Sequence, residues 1–119
     1  MIIDTVAGRD RQLVSGVAAG SVHALGELCD RFDARAYQVA FAVCGDDGRA
    51  QESVQDAFLA VWRGAGSYTA ARGTVGAWLM TVVRHRAIDV ARRDGRHARH
   101  RASEDELDEM ASGDDGPGT

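Results

Sequence analysis

Between Asp47 and Arg93, apolar side chains return every three or four residues in two runs, separated by a loop rich in Gly, Ser and Thr. Gln51, Val54, Phe58, Leu59 and Trp62 mark the first run; Trp78, Leu79, Val82, Val83 and Ile88 mark the second. That period belongs to a helix. The chain has one proline, Pro117, so no ring breaks a backbone ladder upstream of the tail. The stretch is expected to form a helix, a loop and a helix.

The rest of the chain repeats the pattern. Residues 1–9 read as a lead-in, and a short helix is expected from about Asp10, with Leu13, Val14 and Val17 on its apolar side and Gly20 ending it. Ser21 is placed to cap a longer helix whose inner face would carry Leu25, Leu28, Phe32, Val39, Ala40 and Val43. Asp33-Ala34-Arg35 interrupts its apolar pattern without forcing a break. Gly45–Gly48 is a turn. The third helix starts near Asp46 or Asp47 and ends with Arg63, acid first and base last, as the helix dipole favours. Gly64 and Gly66 close it, and Gly66–Thr74 forms the loop. Thr74 would cap the fourth helix, expected to run to about Arg93 and stop at Asp94-Gly95. Residues 96–119 read as an acidic linker or disordered tail, in which Leu107 and Met110 could anchor a weak terminal helix.

The expected fold is all-α, a compact bundle of about four helices over residues 10–95. With three Phe, two Tyr and two Trp among 119 residues, alanine and valine must fill much of the interior, which favours closely packed helices. Cys29 and Cys44, the two cysteines, form no CxxC pair and read as buried free thiols of a reducing compartment. No signal-peptide pattern or apolar run near 18 residues is present, so a cytoplasmic location without membrane insertion is expected.

The net charge of -4 hides a division: residues 1–99 carry 13 Arg against 11 acidic residues, and residues 100–119 carry one Arg against seven. Arg84, Arg86, Arg92, Arg93, Arg96, Arg99 and Arg101 fall within 18 residues, at the far end of the fourth helix and just past it. On a helix, Arg86, Asp89 and Arg93 share one side. Such a field suits a phosphate backbone, or it is an ordinary solvated helix end. Ser67, Tyr68, Thr69, Arg72 and Thr74 place hydroxyls, a ring and a cation on the loop, a set able to accept an unstacked base. Alternatively, Tyr68 pins the loop onto the core. Trp78 reads as core or half-buried, with one edge available to a base pocket. No HExxH, P-loop or GxGxxG occurs, and His97 with His100 has no Cys partner. No catalytic grouping, metal or cofactor is expected. Glu52 and Asp56, four apart, read as an acidic stripe for a basic partner rather than as acid/base catalysts.

Three ordered segments carry a resemblance. AGSVHALGELCDRF, SVQDAFLAVWRGAGSY and GTVGAWLMTVVRHRAIDVARR, over roughly residues 10–95, resemble region 2 of bacterial sigma factors of the sigma-70 family, in its extracytoplasmic-function (ECF) group. The resemblance implies promoter −10 element recognition and strand melting on RNA polymerase, by strand capture rather than covalent catalysis. It implies that Glu52, Gln55, Asp56 and Leu59, with Trp62 in support, dock on the clamp helices of the polymerase largest subunit. The loop, with Tyr68 at the family's aromatic position, would capture a base of the non-template strand. Arg84, His85, Arg86, Asp89, Arg92 and Arg93 would lie on or near the promoter-facing surface, with Ala87 and Ile88 as packing residues.

The departures are local and global. His85 stands where many members have Asn, Thr69-Ala70-Ala71-Arg72 replaces a common Asp-Pro loop start, and Gly48, Gln51 and Ser53 replace a more acidic first turn. A complete factor of the group carries a second helical domain, so either an excised domain, the favoured reading, or a naturally truncated protein is expected here. An anti-sigma factor is a further expected partner of the class. The alternative reading is a sigma-like interaction module that binds an anti-sigma or regulator without productive DNA binding. An unrelated helical regulator reading duplex DNA is a second alternative.

Overall fold

A computed structural model describes the backbone of residues 2–106, and among them every regular element is helical. The order is α1 (Ile2–Ala18), α2 (Val22–Cys44), α3 (Asp47–Gly64), two 3-10 turns (Ala65–Ser67 and Ala70–Arg72) and α4 (Val75–Glu106). The fold is an all-α bundle of four helices.

The caps follow the sequence. Ser21 lies in extended backbone and its Oγ accepts from Ala24 N–H at 3.0 Å. Asp46 does the same for Arg49 N–H at 2.9 Å, and Thr74 Oγ1 accepts from Ala77 N–H at 3.1 Å. Gly45 ends α2 in the left-handed region, φ 67°, where its N–H returns to Phe41 C=O at 2.8 Å. Asp47 and Arg63 occupy the first and last turns of α3, as expected.

Two boundaries differ from the sequence expectation. α1 begins at Ile2, not near Asp10, so residues 2–9 are helical rather than a lead-in. α4 continues through Asp94-Gly95 to Glu106. A glycine inside a helix costs about 1 kcal/mol relative to alanine. Helical turns on both sides of Gly95 outweigh that cost, and Gly95 shows no positive φ. Residues 96–106 are therefore helical; the terminal-helix anchors Leu107 and Met110 lie outside the described residues.

The core is built from small residues, as the composition requires. Ala36, Ala40, Ala50, Ala57 and Ala87 are completely buried beside Leu28, Leu79 and Val83. On α2 the buried row is Ala24, Leu28, Phe32, Ala36 and Ala40. A four-residue step turns the row by about 40° around the axis each time. One helix therefore contacts α1, α3 and α4 in succession. Val43, expected on this inner face, is exposed beyond the end of the row. α1 approaches α2 closely at Gly16, where a Cβ would stand 2.9 Å from Ala24 Cβ. Two ion pairs fasten the same helices: Arg9 to Glu27 at 2.5 Å and Arg31 to Asp10 at 2.7 Å. The Arg9 hydrogen bond holds the Glu27 carboxyl below the usual glutamate range. Cys29 and Cys44 are free and half-buried rather than buried. Burial still pushes the Cys29 thiol up.

Candidate functional site

The amphipathic period of α3 assigns its two faces. Ala50, Ser53, Val54, Ala57, Phe58 and Val61 turn inward. Ser53 is tolerated there because its hydroxyl donates to Arg49 C=O at 2.8 Å, leaving no orphaned donor. Outward, Glu52, Gln55 and Leu59 are exposed and Asp56 is partly exposed. The spacings of three and four residues put them along one stripe. Leu59 is 49% exposed, an apolar side chain without a home in the core. Trp62 departs from this group, since it is half-buried and packs against the core.

The loop between α3 and α4 is folded rather than slack. Ser67 Oγ donates to Gly64 C=O at 2.8 Å and closes the first 3-10 turn. Tyr68 is half-buried, and its hydroxyl donates to Gly73 C=O at 2.7 Å. Gly73 adopts φ 97°, a conformation closed to most side chains, and this lets the chain double back to that hydroxyl. The Tyr68 ring lies 5.1 Å from the Trp78 ring, tilted by 51°. Tyr68 thus pins the loop to the start of α4, whatever else its ring contacts. Thr69 and Arg72 are exposed.

α4 presents Arg84, His85, Arg86, Asp89 and Arg93 to solvent, while Arg92 and Ile88 are partly buried. Its opposite side carries Leu79, Val83, Ala87 and Val90 into the interior.

Several candidate residues line two recesses, one walled in part by Trp78 and the other by Tyr68, whose rings touch. A cleft of about 360 Å³ opens between α3, the first 3-10 turn and α4. Ser67, Trp78, His85, Arg86 and Asp89 line it, together with Gly64 and Val82. A larger recess of about 610 Å³ takes in Tyr68 and Thr74 on the other side. Thr69, Arg72, Arg84, Arg92 and Arg93 line neither recess. Sequence reasoning missed Gly64 and Val82, which carry no polar signal and enter the cleft through the crossing of α3 and α4. It also missed the part that α1 plays in the larger recess.

One contact joins the two candidate surfaces. Glu52 on α3 accepts from Arg93 on α4 at 2.5 Å, with both side chains nearly half exposed. Each was expected to meet a different partner; in the free domain they meet each other.

Among the described residues, no helix is long and apolar enough to cross a membrane, and no group of three or more His, Cys, Asp or Glu is arranged to hold a metal ion.

Residues 28–97 match the Sigma-70 region 2 family. The ECF RNA polymerase sigma factor SigK of Mycobacterium sp. (strain KMS) is 41% identical over 80 residues, covering 67% of this chain and 42% of that protein. The SigK proteins of Mycobacterium bovis and Mycobacterium tuberculosis are 35% identical over 80 residues, covering 67% of this chain and 43% of theirs. The chain therefore spans less than half the length of these relatives. No solved structure matches it. The match over most of the bundle, with the helical order that carries it, makes this chain a region 2 domain of the sigma-70 family, of the ECF, SigK-like group.

Proposed function

We propose that this domain docks on RNA polymerase and holds the melted non-template strand of a promoter −10 element. The observation that carries the reading is the 360 Å³ cleft, where Ser67, Trp78, His85, Arg86 and Asp89 converge. Its volume lies within the range of small-ligand clefts. An indole edge, an imidazole, a guanidinium and a carboxylate offer stacking and hydrogen-bonding groups to one unstacked base. Unstacking costs a few kcal/mol, and stacking on a protein ring returns about 1–3 kcal/mol per base. Phosphate contacts must supply the rest. Arg84 and Arg86 flank the cleft along α4, and Thr69 and Arg72 extend the exposed rim along the loop. Tyr68 and Thr74 shape the loop beside it. Arg92 and Arg93 continue the basic field toward the end of α4. Binding through this field is salt-dependent.

The outer stripe of α3, Glu52, Gln55, Asp56 and Leu59, is the proposed docking face for the clamp helices of the polymerase largest subunit, with Trp62 supporting it from behind. Acidic groups around one exposed leucine suit a basic, amphipathic helical partner. Docking there fixes the strand-holding cleft relative to the polymerase, and the function is then cytoplasmic. The reading involves strand capture and no covalent step, so no catalytic residue or cofactor enters it.

A second reading has one observation in its favour. Tyr68 is turned inward and hydrogen-bonded to Gly73, so the loop's aromatic is a pin more than an open platform. A sigma-like module that binds an anti-sigma factor, without productive DNA binding, would need only the α3 stripe.

The test is a titration of the chain with a labelled non-template −10 strand, with and without a clamp-helix fragment, beside the matched duplex at the same salt. Clamp-dependent preference for the single strand is expected. Clamp binding without strand preference would move the assignment to the interaction module, and duplex-only binding would revive an ordinary regulator.

A further inference from the structure

α4 carries its arginines and the first of the chain's clustered carboxylates on one continuous helix. Between Arg84 and Arg93 it holds Arg84, Arg86, Arg92 and Arg93 against Asp89, and Arg84, Arg86 and Arg93 are exposed. Glu104, Asp105 and Glu106 end the helix; Asp108-Glu109 and Asp114-Asp115 follow it in the sequence. Because α4 runs unbroken through Gly95, it keeps these groups apart. At 1.5 Å per residue, Arg93 lies about 20 Å and Arg86 about 30 Å back from Glu106. A chain leaving Glu106 advances at most about 3.5 Å per residue. On that rise Asp108 and Glu109 return by no more than about 7–10 Å and fall short of Arg93. Asp114 and Asp115 return by up to about 28–31 Å, which covers Arg92 and Arg93 with slack and meets Arg86 only at full stretch. That end of the basic field already takes a carboxylate. Arg93 Nη2 donates to Glu52 Oε2 at 2.5 Å, and the Arg93 side chain is still 44% exposed. A guanidinium presents five N–H donors in a fork, so one carboxylate does not exhaust it.

We propose that the acidic segment after α4 returns along the helix and sets Asp114 and Asp115 against Arg92 and Arg93, screening the basic face in cis. The contact itself stands apart from the strand-holding reading; its effect on a strand rests on that reading. Charge and tether together choose this occupant. Residues 100–119 hold seven acidic residues against one Arg, opposite a face that holds four Arg against Asp89. A short tether raises the effective concentration of the acidic pair to roughly the millimolar range, so exposed ion pairs that are weak singly suffice. The influence extends beyond Arg93. The Debye length at 0.1 M salt is about 10 Å, which is about the length of helix between Arg93 and Arg86. Carboxylates held on Arg93 therefore also lower the positive potential at Arg86, which lines the proposed base cleft. The continuous helix makes the effect selective: with a break at Asp94-Gly95 every carboxylate could fold onto the field, whereas the straight rod admits the distant pair.

The experiment uses the whole 119-residue chain and two double variants that remove the same charge. One carries Asp114→Ser with Asp115→Ser; the other carries Asp108→Ser with Glu109→Ser. Thermal unfolding checks that both bundles are intact. Without DNA, the Arg93 Nε–Hε resonance, assigned by its loss in Arg93→Lys, is expected to move in the first variant and stay in the second. At about 50 mM salt the first variant is expected to bind the labelled non-template −10 strand about three- to tenfold more tightly than the parent chain. The second should gain less than about twofold, and at about 0.5 M salt both gains should vanish. An Arg93 resonance that stays in the first variant overturns the contact, whatever the strand does. Equal gains from the two variants reduce the effect to net charge and overturn it as well. A shift seen at high protein concentration alone assigns the acidic pair to a second copy and overturns the contact in cis. A moving resonance with no strand binding in any variant supports the contact, and overturns the strand-holding function and the screening of a strand with it.

Discussion

The outer stripe of α3 and the cleft beneath the loop are made in opposite ways. The stripe is one helix face: Glu52, Gln55, Asp56 and Leu59 follow from helical spacing, and no other element is needed to place them. The cleft needs three elements. Ser67 comes from a 3-10 turn, Trp78 and His85 from α4, and Gly64 from the end of α3. A single-helix surface survives small shifts of its neighbours. A composite cleft depends on the α3–α4 crossing and on the hydrogen bond that ties Tyr68 to Gly73. The two should therefore fail differently.

The largest expected effect removes both together. Leu79 is fully buried, and Leu79→Ala should cost about 2–5 kcal/mol of unfolding free energy, read by urea denaturation. Strand and clamp binding should then weaken in parallel; loss of only one would mean the two surfaces fold independently.

Next come changes confined to one region. Arg86→Ala should weaken binding of the single strand by about 1–3 kcal/mol, with clamp binding and unfolding unchanged. Unchanged strand affinity at fixed salt would remove Arg86 from the strand surface. Asp56→Arg should reverse the pattern, lowering clamp-fragment affinity while the strand, measured without the fragment, binds as before. Wild-type clamp affinity in that variant would contradict the docking face.

Smaller still is the contact between the regions. Glu52→Gln breaks the pair with Arg93, an exposed interaction of a kind worth about 0–1 kcal/mol. In the isolated chain it should strengthen strand binding a few-fold by releasing Arg93, while weakening clamp binding. If strand affinity in Glu52→Gln stays at the wild-type value, Arg93 does not take part in strand binding.

The smallest effect concerns α1. Arg9 lowers the Glu27 carboxyl below its ordinary value, so the folded state binds that proton less readily than the unfolded chain does. The contribution is fully present above the ordinary glutamate range and is lost as the pH falls through the depressed value. Glu27→Gln should therefore lower stability slightly at neutral and alkaline pH, leave it nearly unchanged at pH below the depressed value, and so flatten the acid limb of a stability-against-pH curve. An unchanged acid limb would mean the pair adds nothing to holding α1.

Particular residues show where the sequence was legible. Ser21 and Thr74 cap the helices they were expected to cap, because capping is decided within four residues of chain. Gly95 misled because glycine near charged residues resembles a stop, yet a stop also needs a left-handed turn that Gly95 does not make. The start of α1 was hidden for a related reason: Gly8 and the mixed residues around it lower local helix propensity, and packing against α2 overrides a weak local preference.

By itself the sequence determined the helical class, the caps of α2 and α4, most of the inward faces of α3 and α4, and the family, since each rests on spacing along one segment. Tertiary structure decided the rest. It paired Glu52 with Arg93, turned Tyr68 inward onto Trp78, divided the loop's residues between two recesses and brought α1 to wall the larger one. These contacts join residues distant in the chain. Local periodicity carries no information about them, because the angle at which two helices cross is set by how their side chains interlock.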